Sequence, residues 1–182
     1  MLIHKTPLPG SALIELERRE DDRGFFARAF CRQEFIEAGL EPAVEQCNIS
    51  YNHHKGTLRG FHYQVAPHEE AKTIRCLRGA IYDVIVDLRP DSPTYLQHFG
   101  AELSEDNRLA LHIPKGFAHA YITLTDGVET FYQVSTAYAP GAERGLRWDD
   151  PALGVEWPIP VEHISAKDAS WPLMSEKPVG VR

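Results

Sequence analysis

Ala80-Ile81-Tyr82-Asp83-Val84-Ile85-Val86-Asp87-Leu88 is the stretch on which the fold turns. β-Branched and aromatic residues dominate it, Gly79 precedes it, and the turn cluster Arg89-Pro90-Asp91-Ser92-Pro93 ends it. It therefore reads as a strand. A period of two puts Ile81, Asp83, Ile85 and Asp87 on one face and Tyr82, Val84, Val86 and Leu88 on the other. The second face is wholly apolar and is expected to meet the core. Ala118 to Leu124 and Thr130 to Tyr138 share this character, and Arg108 to Ile113 predicts another strand, stopped by Pro114-Lys115-Gly116. Helix signals are few: Arg32 to Ala38, ended by Gly39, and an opening at Ser165-Ala166-Lys167-Asp168. Many short strands between frequent Gly and Pro turns predict an all-β sandwich or closed barrel rather than alternating βαβ units.

The 182 residues show no repeat, low-complexity tract or dividing linker, which predicts one domain over 1–182. A net charge of −7 argues against a nucleic-acid partner. No apolar run approaches the roughly 20 residues that a membrane-spanning helix needs. The N-terminal residues carry no secretory pattern, and Cys31, Cys47 and Cys76 are odd in number and widely spaced. A cytoplasmic protein with reduced structural thiols is expected.

Polar groups that a plain core does not need gather in four places. The first runs from Gln46-Cys47-Asn48 through Arg59-Gly60-Phe61-His62-Tyr63-Gln64 to Lys72. Strand periodicity there places Leu58, Gly60, His62 and Gln64 on one face and Arg59, Phe61 and Tyr63 on the other. If the first face lines a barrel, His62 can serve as a general base, although a satisfied structural histidine fits the same pattern. The others are Pro114 to His119, Phe131-Tyr132-Gln133 and Ser165 to Asp168. Tyr132 reads equally as a buried hydrogen-bonding residue or a proton donor, and Asp168 as a carboxylate in a helix's first turn.

Two chemistries compete for the histidines. Gly56-x5-His62, Glu69 and Pro114-x-Gly116-x2-His119 resemble the two halves of the cupin metal motif, and two His with a carboxylate suit iron, manganese or zinc. Gln64, however, stands where metal-binding cupins place a second His. The other reading needs neither metal nor cofactor. His62 is the base, Asp168 orients it, Lys72 stabilises an oxyanion and Tyr132 is the acid, a set suited to inverting a carbon beside a ketone. Spacing alone does not bring these residues together.

The chain resembles the dTDP-4-dehydrorhamnose 3,5-epimerase family of RmlC-like cupins. The matching residues run from Asp22-Arg23-Gly24-Phe25-Phe26 through Gln46-Cys47-Asn48-Ile49-Ser50 and Gly56 to Gln64. They continue with Lys72 to Cys76, Asp83 to Arg89, Ser92-Pro93-Thr94 and Ile113 to His119, then Tyr138-Ala139-Pro140 and Glu143-Arg144-Gly145. Trp148-Asp149-Asp150-Pro151, Trp157-Pro158 and Ser165 to Asp168 complete them. The resemblance implies a cupin double-stranded β-helix, a jelly-roll barrel with a few short helices, acting as a homodimer on a nucleotide-diphosphate 4-keto-6-deoxyhexose for deoxysugar and polysaccharide biosynthesis. It implies that His62, paired with Asp168, takes protons from C3 and C5, that Lys72 supports the enolate, and that Tyr132 returns a proton on the opposite face. It further implies that Arg23, Arg59 and His119 hold diphosphate and sugar, that Gln46, Asn48 and Phe26 face the nucleotide, and that Glu143 and Lys167 line the site.

The chain departs from the family's usual residues at Arg28 (Glu), Phe61 (Leu), Glu70 (Gln), Ala120 (Gly) and Gln133 (Lys). Arg28 borders the expected nucleotide site and only donates hydrogen bonds, so a base richer in acceptors than thymine, as in a GDP- or CDP-sugar, becomes an alternative. Epimerisation at C3 alone is another.

Overall fold

In a computed structural model, which describes residues 1–176, the stretch from Ala80 forms a strand and is buried on both faces. The elements run in order β1 (Leu2–Lys5), β2 (Ala12–Glu15), β3 (Arg19–Asp21), β4 (Gly24–Phe26) and helix α1 (Arg32–Glu37). Next come β5 (Gln46–Asn52), β6 (Thr57–Gln64), β7 (Lys72–Arg78), β8 (Ala80–Asp87), β9 (His98–Ser104) and β10 (Ala110–Ile113). β11 (Phe117–Thr123), β12 (Val128–Val134), β13 (Glu143–Gly145), β14 (His163–Ile164) and the short helix α2 (Ala166–Ala169) follow. Both predicted helices are present. The predicted 130–138 strand ends at Val134, and beyond it Tyr138 gives its N–H to the Gln46 side chain.

One sheet has the strand order β1-β2-β10-β7-β12-β5 and the other β13-β6-β11-β8-β9, with β14 added parallel to β6. The β3–β4 hairpin pairs with neither. The two large sheets are otherwise antiparallel and face each other as a jelly-roll barrel. Between them lies the main core, with Ile74 and Leu111 from the first sheet and Ile81, Ile85, Leu103 and Tyr121 from the second. A second core lies outside the barrel, where Phe61, Val84, Val86 and Ala118 are covered by Leu146, Leu153 and Trp157. The third sits under α1, where Phe35 packs against Ala12, Ile14 and Ala110.

β8 bears out the expectation drawn from its pattern and adds to it. Its apolar face, with Val84 and Val86, meets the outer core, while the face carrying Asp83 and Asp87 looks into the barrel. Both carboxylates are fully buried, which is tolerable because each is bonded. Asp83 reaches His119, and Asp87 accepts from Arg89, Ser92 and Thr94. Burial pushes the Asp87 carboxyl up, but these donors outweigh it and hold the group well below the usual carboxylate range.

Candidate active site

His62 lies near the C-terminal end of β6, and α2 brings Asp168 to it. Ser165 caps α2, its hydroxyl accepting from the Asp168 N–H at 3.0 Å, so the carboxylate leaves the helix's first turn in a fixed direction. Asp168 Oδ1 then stands 2.7 Å from His62 Nε2, and Oδ2 accepts from the Gly60 N–H at 3.3 Å. This leaves Nδ1 as the ring nitrogen that can exchange a proton. Asp168 is 4% exposed. Burial pushes its carboxyl up, but the bond to His62, the imidazole's charge and the Gly60 N–H pull harder, so the group sits below its ordinary value. It is a carboxylate at neutral pH.

Glycine at 60 is required by a close approach. Its φ is +115°, and an added Cβ would meet the His119 carbonyl oxygen at 2.5 Å and Ala120 Cα at 2.7 Å. The β11–β6 register shifts at the same place, between His119 and Tyr121. Alternation along β6 therefore holds from Phe61 to Gln64, as expected from the sequence, and fails at Arg59. Phe61 and Tyr63 pack into the outer core. Arg59 turns inward instead, with Nε donating to Asn52 Oδ1 at 2.6 Å while Asn52 Nδ2 donates to the Tyr121 hydroxyl.

His62 borders a cavity of about 320 Å³ lined also by Gln46, Asn48, Gln64, Glu70, Lys72, Tyr132, Tyr138 and Glu143. His62 comes from one sheet, whereas Tyr132 on β12 and Lys72 on β7 come from the other. Base and phenol thus stand on opposing walls. Burial, joined by Tyr121 and Glu70, pushes the Tyr132 hydroxyl up despite the opposing charge of Arg59. It keeps its proton at neutral pH and can donate it. The Lys72 ammonium sits 5.3 Å from the Tyr132 ring centroid. A narrow chamber behind the cavity adds His119, the cross-strand neighbour of His62, whose Nε2 lies 2.7 Å from Asp83 Oδ1.

On the other side of His62, a cleft of about 360 Å³ holds Arg59, His163, Lys167 and Asp168. Lys167 is tied to Glu143 at 2.6 Å, and Tyr138 donates to the same carboxylate oxygen at 2.8 Å, closing the rim between cavity and cleft. Burial pushes the Glu143 carboxyl up, but the two donors hold it below its ordinary value.

Three predicted ligand residues are elsewhere. Arg23, Phe26 and Arg28 belong to the separate hairpin or its exit and do not line the His62 cavity within one chain. Arg23 is bound to Asp21, with 90% of its side chain exposed, and Arg28 pairs with Glu34 at 3.1 Å. The hairpin hydrogen-bonds to neither large sheet, so nothing in the ladder turns these residues toward the cavity. Sequence reasoning passed over Glu70, Gln64 and Tyr138 as site residues and over Asp83 as the partner of His119. A carboxylate inside an apolar strand was the signal for Asp83, since it must find a donor there. Among the described residues, no group of three or more His, Cys, Asp and Glu side chains is arranged to hold a metal, so His62, Glu69 and His119 do not form the trio that the metal reading needs.

A cavity of this kind suits an isomerase that shuttles protons on the two faces of a bound carbonyl compound. Comparison with known proteins narrows the class. The profile of the dTDP-4-dehydrorhamnose 3,5-epimerase family matches residues 5–176. The dTDP-4-dehydrorhamnose 3,5-epimerase of Salmonella typhimurium is 38% identical over 178 residues, covering 97% of each chain. The crystal structure of the Bacillus anthracis dTDP-4-dehydrorhamnose 3,5-epimerase with TDP and PPi bound superposes with a TM-score of 0.92 at 39% identity, covering 95% of this chain and 99% of that one. A 3'-monoepimerase from Streptomyces bikiniensis in complex with dTDP-quinovose gives 0.87 at 33%, covering 94% and 87%. The chain belongs to the dTDP-4-dehydrorhamnose 3,5-epimerase family, with that family's cupin-like barrel, and is an epimerase.

Proposed function

We propose that the substrate is dTDP-4-dehydro-6-deoxy-D-glucose, epimerised at C3 and C5. The observation that carries this reading is the His62–Asp168 pair at 2.7 Å, facing Tyr132 across one cavity. Neutral His62 takes the proton from C3, and the electron pair moves onto the C4 oxygen as an enolate beside the Lys72 ammonium. Asp168 stabilises the imidazolium so formed. Tyr132 delivers its proton to the opposite face of C3, inverting it, and recovers one from solvent, to which the His62 imidazolium gives up the proton it took. The same cycle acts at C5, which is also α to the ketone. Only protons move, so no redox cofactor enters.

Two features support dTDP as the carrier: the related Bacillus anthracis structure holds TDP, and Gln46 and Asn48 offer amides at the cavity wall. Arg59, in the cleft beside His62, and His119, in the chamber behind the cavity, are the proposed sugar and diphosphate ligands, with Glu143 and Lys167 at the rim. Arg23, Phe26 and Arg28 can join them only from a second copy, so the same reading makes the protein a homodimer. Exposed apolar residues on the hairpin and on edge strand β5 suit that contact, with Phe26 at 69% and Ile49 at 65%. Three free thiols suit the cytoplasm, where such a product serves surface polysaccharide or a glycosylated metabolite.

A C3-only reaction is the second reading, favoured by the likeness to the Streptomyces bikiniensis 3'-monoepimerase. Incubation with dTDP-4-keto-6-deoxyglucose in D2O, followed by NMR, decides between them. Deuterium at both carbons, lost in His62→Ala, supports the 3,5-epimerase. Label at C3 alone supports the second reading. No label at all, with GDP or CDP competing better than dTDP for binding, overturns the substrate assignment and points to Arg28.

A further inference from the structure

Glu70 is one of two carboxylates lining the cavity and has no part in the proton transfers described above. It lies just before β7, where the chain crosses from the His62 sheet to the Lys72 sheet, and it is bonded on both sides. Its Oε2 accepts from Gln64 Nε2 at 3.3 Å, two residues along β6 from His62. The Gln64 amide is itself fixed, because Oε1 accepts from the Ala139 N–H at 2.7 Å and Nε2 also donates to the His68 carbonyl at 3.1 Å. Glu70 Oε1 stands 3.5 Å from Lys72 Nζ, and both side chains are largely shielded, at 16% and 15% exposure.

A charge-assisted N–H···O bond closes to about 2.7–2.9 Å when nothing opposes it. At 3.5 Å the ammonium is tethered but its donors remain free to turn toward another acceptor. The tether also holds it by the Tyr132 ring, at the wall from which the second proton comes. An untethered lysine has four rotatable bonds and seeks water, and small misplacements of a catalytic group cost large factors in rate.

We infer that Glu70 is a positioning residue for the epimerisation. It holds the Lys72 ammonium at the ketone end of the cavity and yields it to the C4 oxygen as negative charge grows there. The inference rests on the proposed role of Lys72 as the enolate's partner. In the ketone-bound state Lys72 is shared between Glu70 and a weak acceptor. As the enolate forms, the acceptor becomes an anion and draws the ammonium over. Ground-state binding is little affected, so the contribution appears in kcat rather than KM.

The test is a double-mutant cycle on the full chain, with kcat and KM measured on dTDP-4-keto-6-deoxyglucose for the parent, Glu70→Ala, Lys72→Ala and the double variant, and binding of dTDP alone as the check on folding. Expected is a fall in kcat of about tenfold for Glu70→Ala, with KM and dTDP affinity within about twofold, and no further fall when Lys72 is already Ala. Glu70→Gln keeps an acceptor for both neighbours. It lowers kcat only about two- to fivefold and likewise only when Lys72 is present, which preserves the test if Glu70→Ala does not fold. Equal losses in both backgrounds, or an unchanged kcat in the Lys72 background, overturn the inference. If Lys72→Ala itself stays within about threefold of the parent, the reading of Lys72 fails and takes the inference with it. If Lys72→Ala collapses while the Glu70 variants do not, the inference alone falls.

Discussion

Replacing Asp168 by Asn isolates the part of catalysis carried by one buried charge. The amide keeps the size and can still accept from His62 Nε2–H, so the tautomer and ring position survive. What disappears is the attraction between a carboxylate and the imidazolium that exists only after proton abstraction. With about 4 Å between charge centres and an effective dielectric near 20, that attraction is about 4 kcal/mol, or roughly a thousandfold in rate. The carboxamide NH2 would also face the Gly60 N–H, whose acceptor is Oδ2, so a loss of about 1 kcal/mol in stability accompanies the change. The assay is the initial rate of deuterium entry at C3 in D2O by NMR, with dTDP binding to verify the site. A rate reduced by about a thousandfold with unchanged dTDP affinity is expected. A variant that keeps more than about a tenth of the parent rate would refute the reasoning, because a charge that close to the base cannot then be stabilising it.

Three further outcomes are expected. Tyr132→Phe removes the second proton but not the base, so deuterium exchange at C3 should outlast epimer formation, with turnover to product down about 10²–10⁴-fold; equal losses in the two readouts would deny Tyr132 its role as acid. Gly60→Ala should cost about 3 kcal/mol or more in urea unfolding, since the new Cβ meets backbone at 2.5 Å and the φ is positive; a loss under about 1 kcal/mol would show that β11 can yield. His112, packed on Phe35 and bonded to Thr73, is pushed down by burial to about 4. The unfolded imidazole titrates near 6.5, so the unfolded chain binds more protons between about 4 and 6.5. Stability should be full above that window and fall through it on acidification, by on the order of 3 kcal/mol, and His112→Gln should flatten this slope in urea titrations. An unchanged slope would remove His112 as its source.

How much the sequence discloses depends on whether a signal is local. The β8 pattern, the Gly39 helix stop and the Ser165 cap are written in adjacent residues, and all three were legible. Alternation along β6 was misread at Arg59, where Gly60 interrupts it, and the cause lies across the barrel in the His119 carbonyl rather than in β6 itself. The burial of the Asp-bearing face of β8 was not legible for the same kind of reason, since the partners that make Asp83 and Asp87 tolerable inside are His119, from another strand, and Arg89, from the following loop. Nothing in the spacing joins His62 to Asp168 or sets Tyr132 opposite them. That placement entered through resemblance, and the fold supplies the distances. The separation of Arg23, Phe26 and Arg28 from the cavity was not legible, because it follows from a hairpin that pairs with neither large sheet.

The segment that covers the outer core has a consequence for assembly. His62 and its carboxylate are 106 residues apart, and the carboxylate arrives on a four-residue helix that could not persist alone. That helix follows a span held down by Leu146, Leu153 and Trp157 packed against Phe61 and Val84. The base is therefore completed only when the last part of the chain has wrapped around the back of the barrel. Clipping the chain after residue 150 would remove Asp168 and Lys167 and uncover Phe61 and Val84 together, so the completeness of the base and the cover of the outer core depend on one segment.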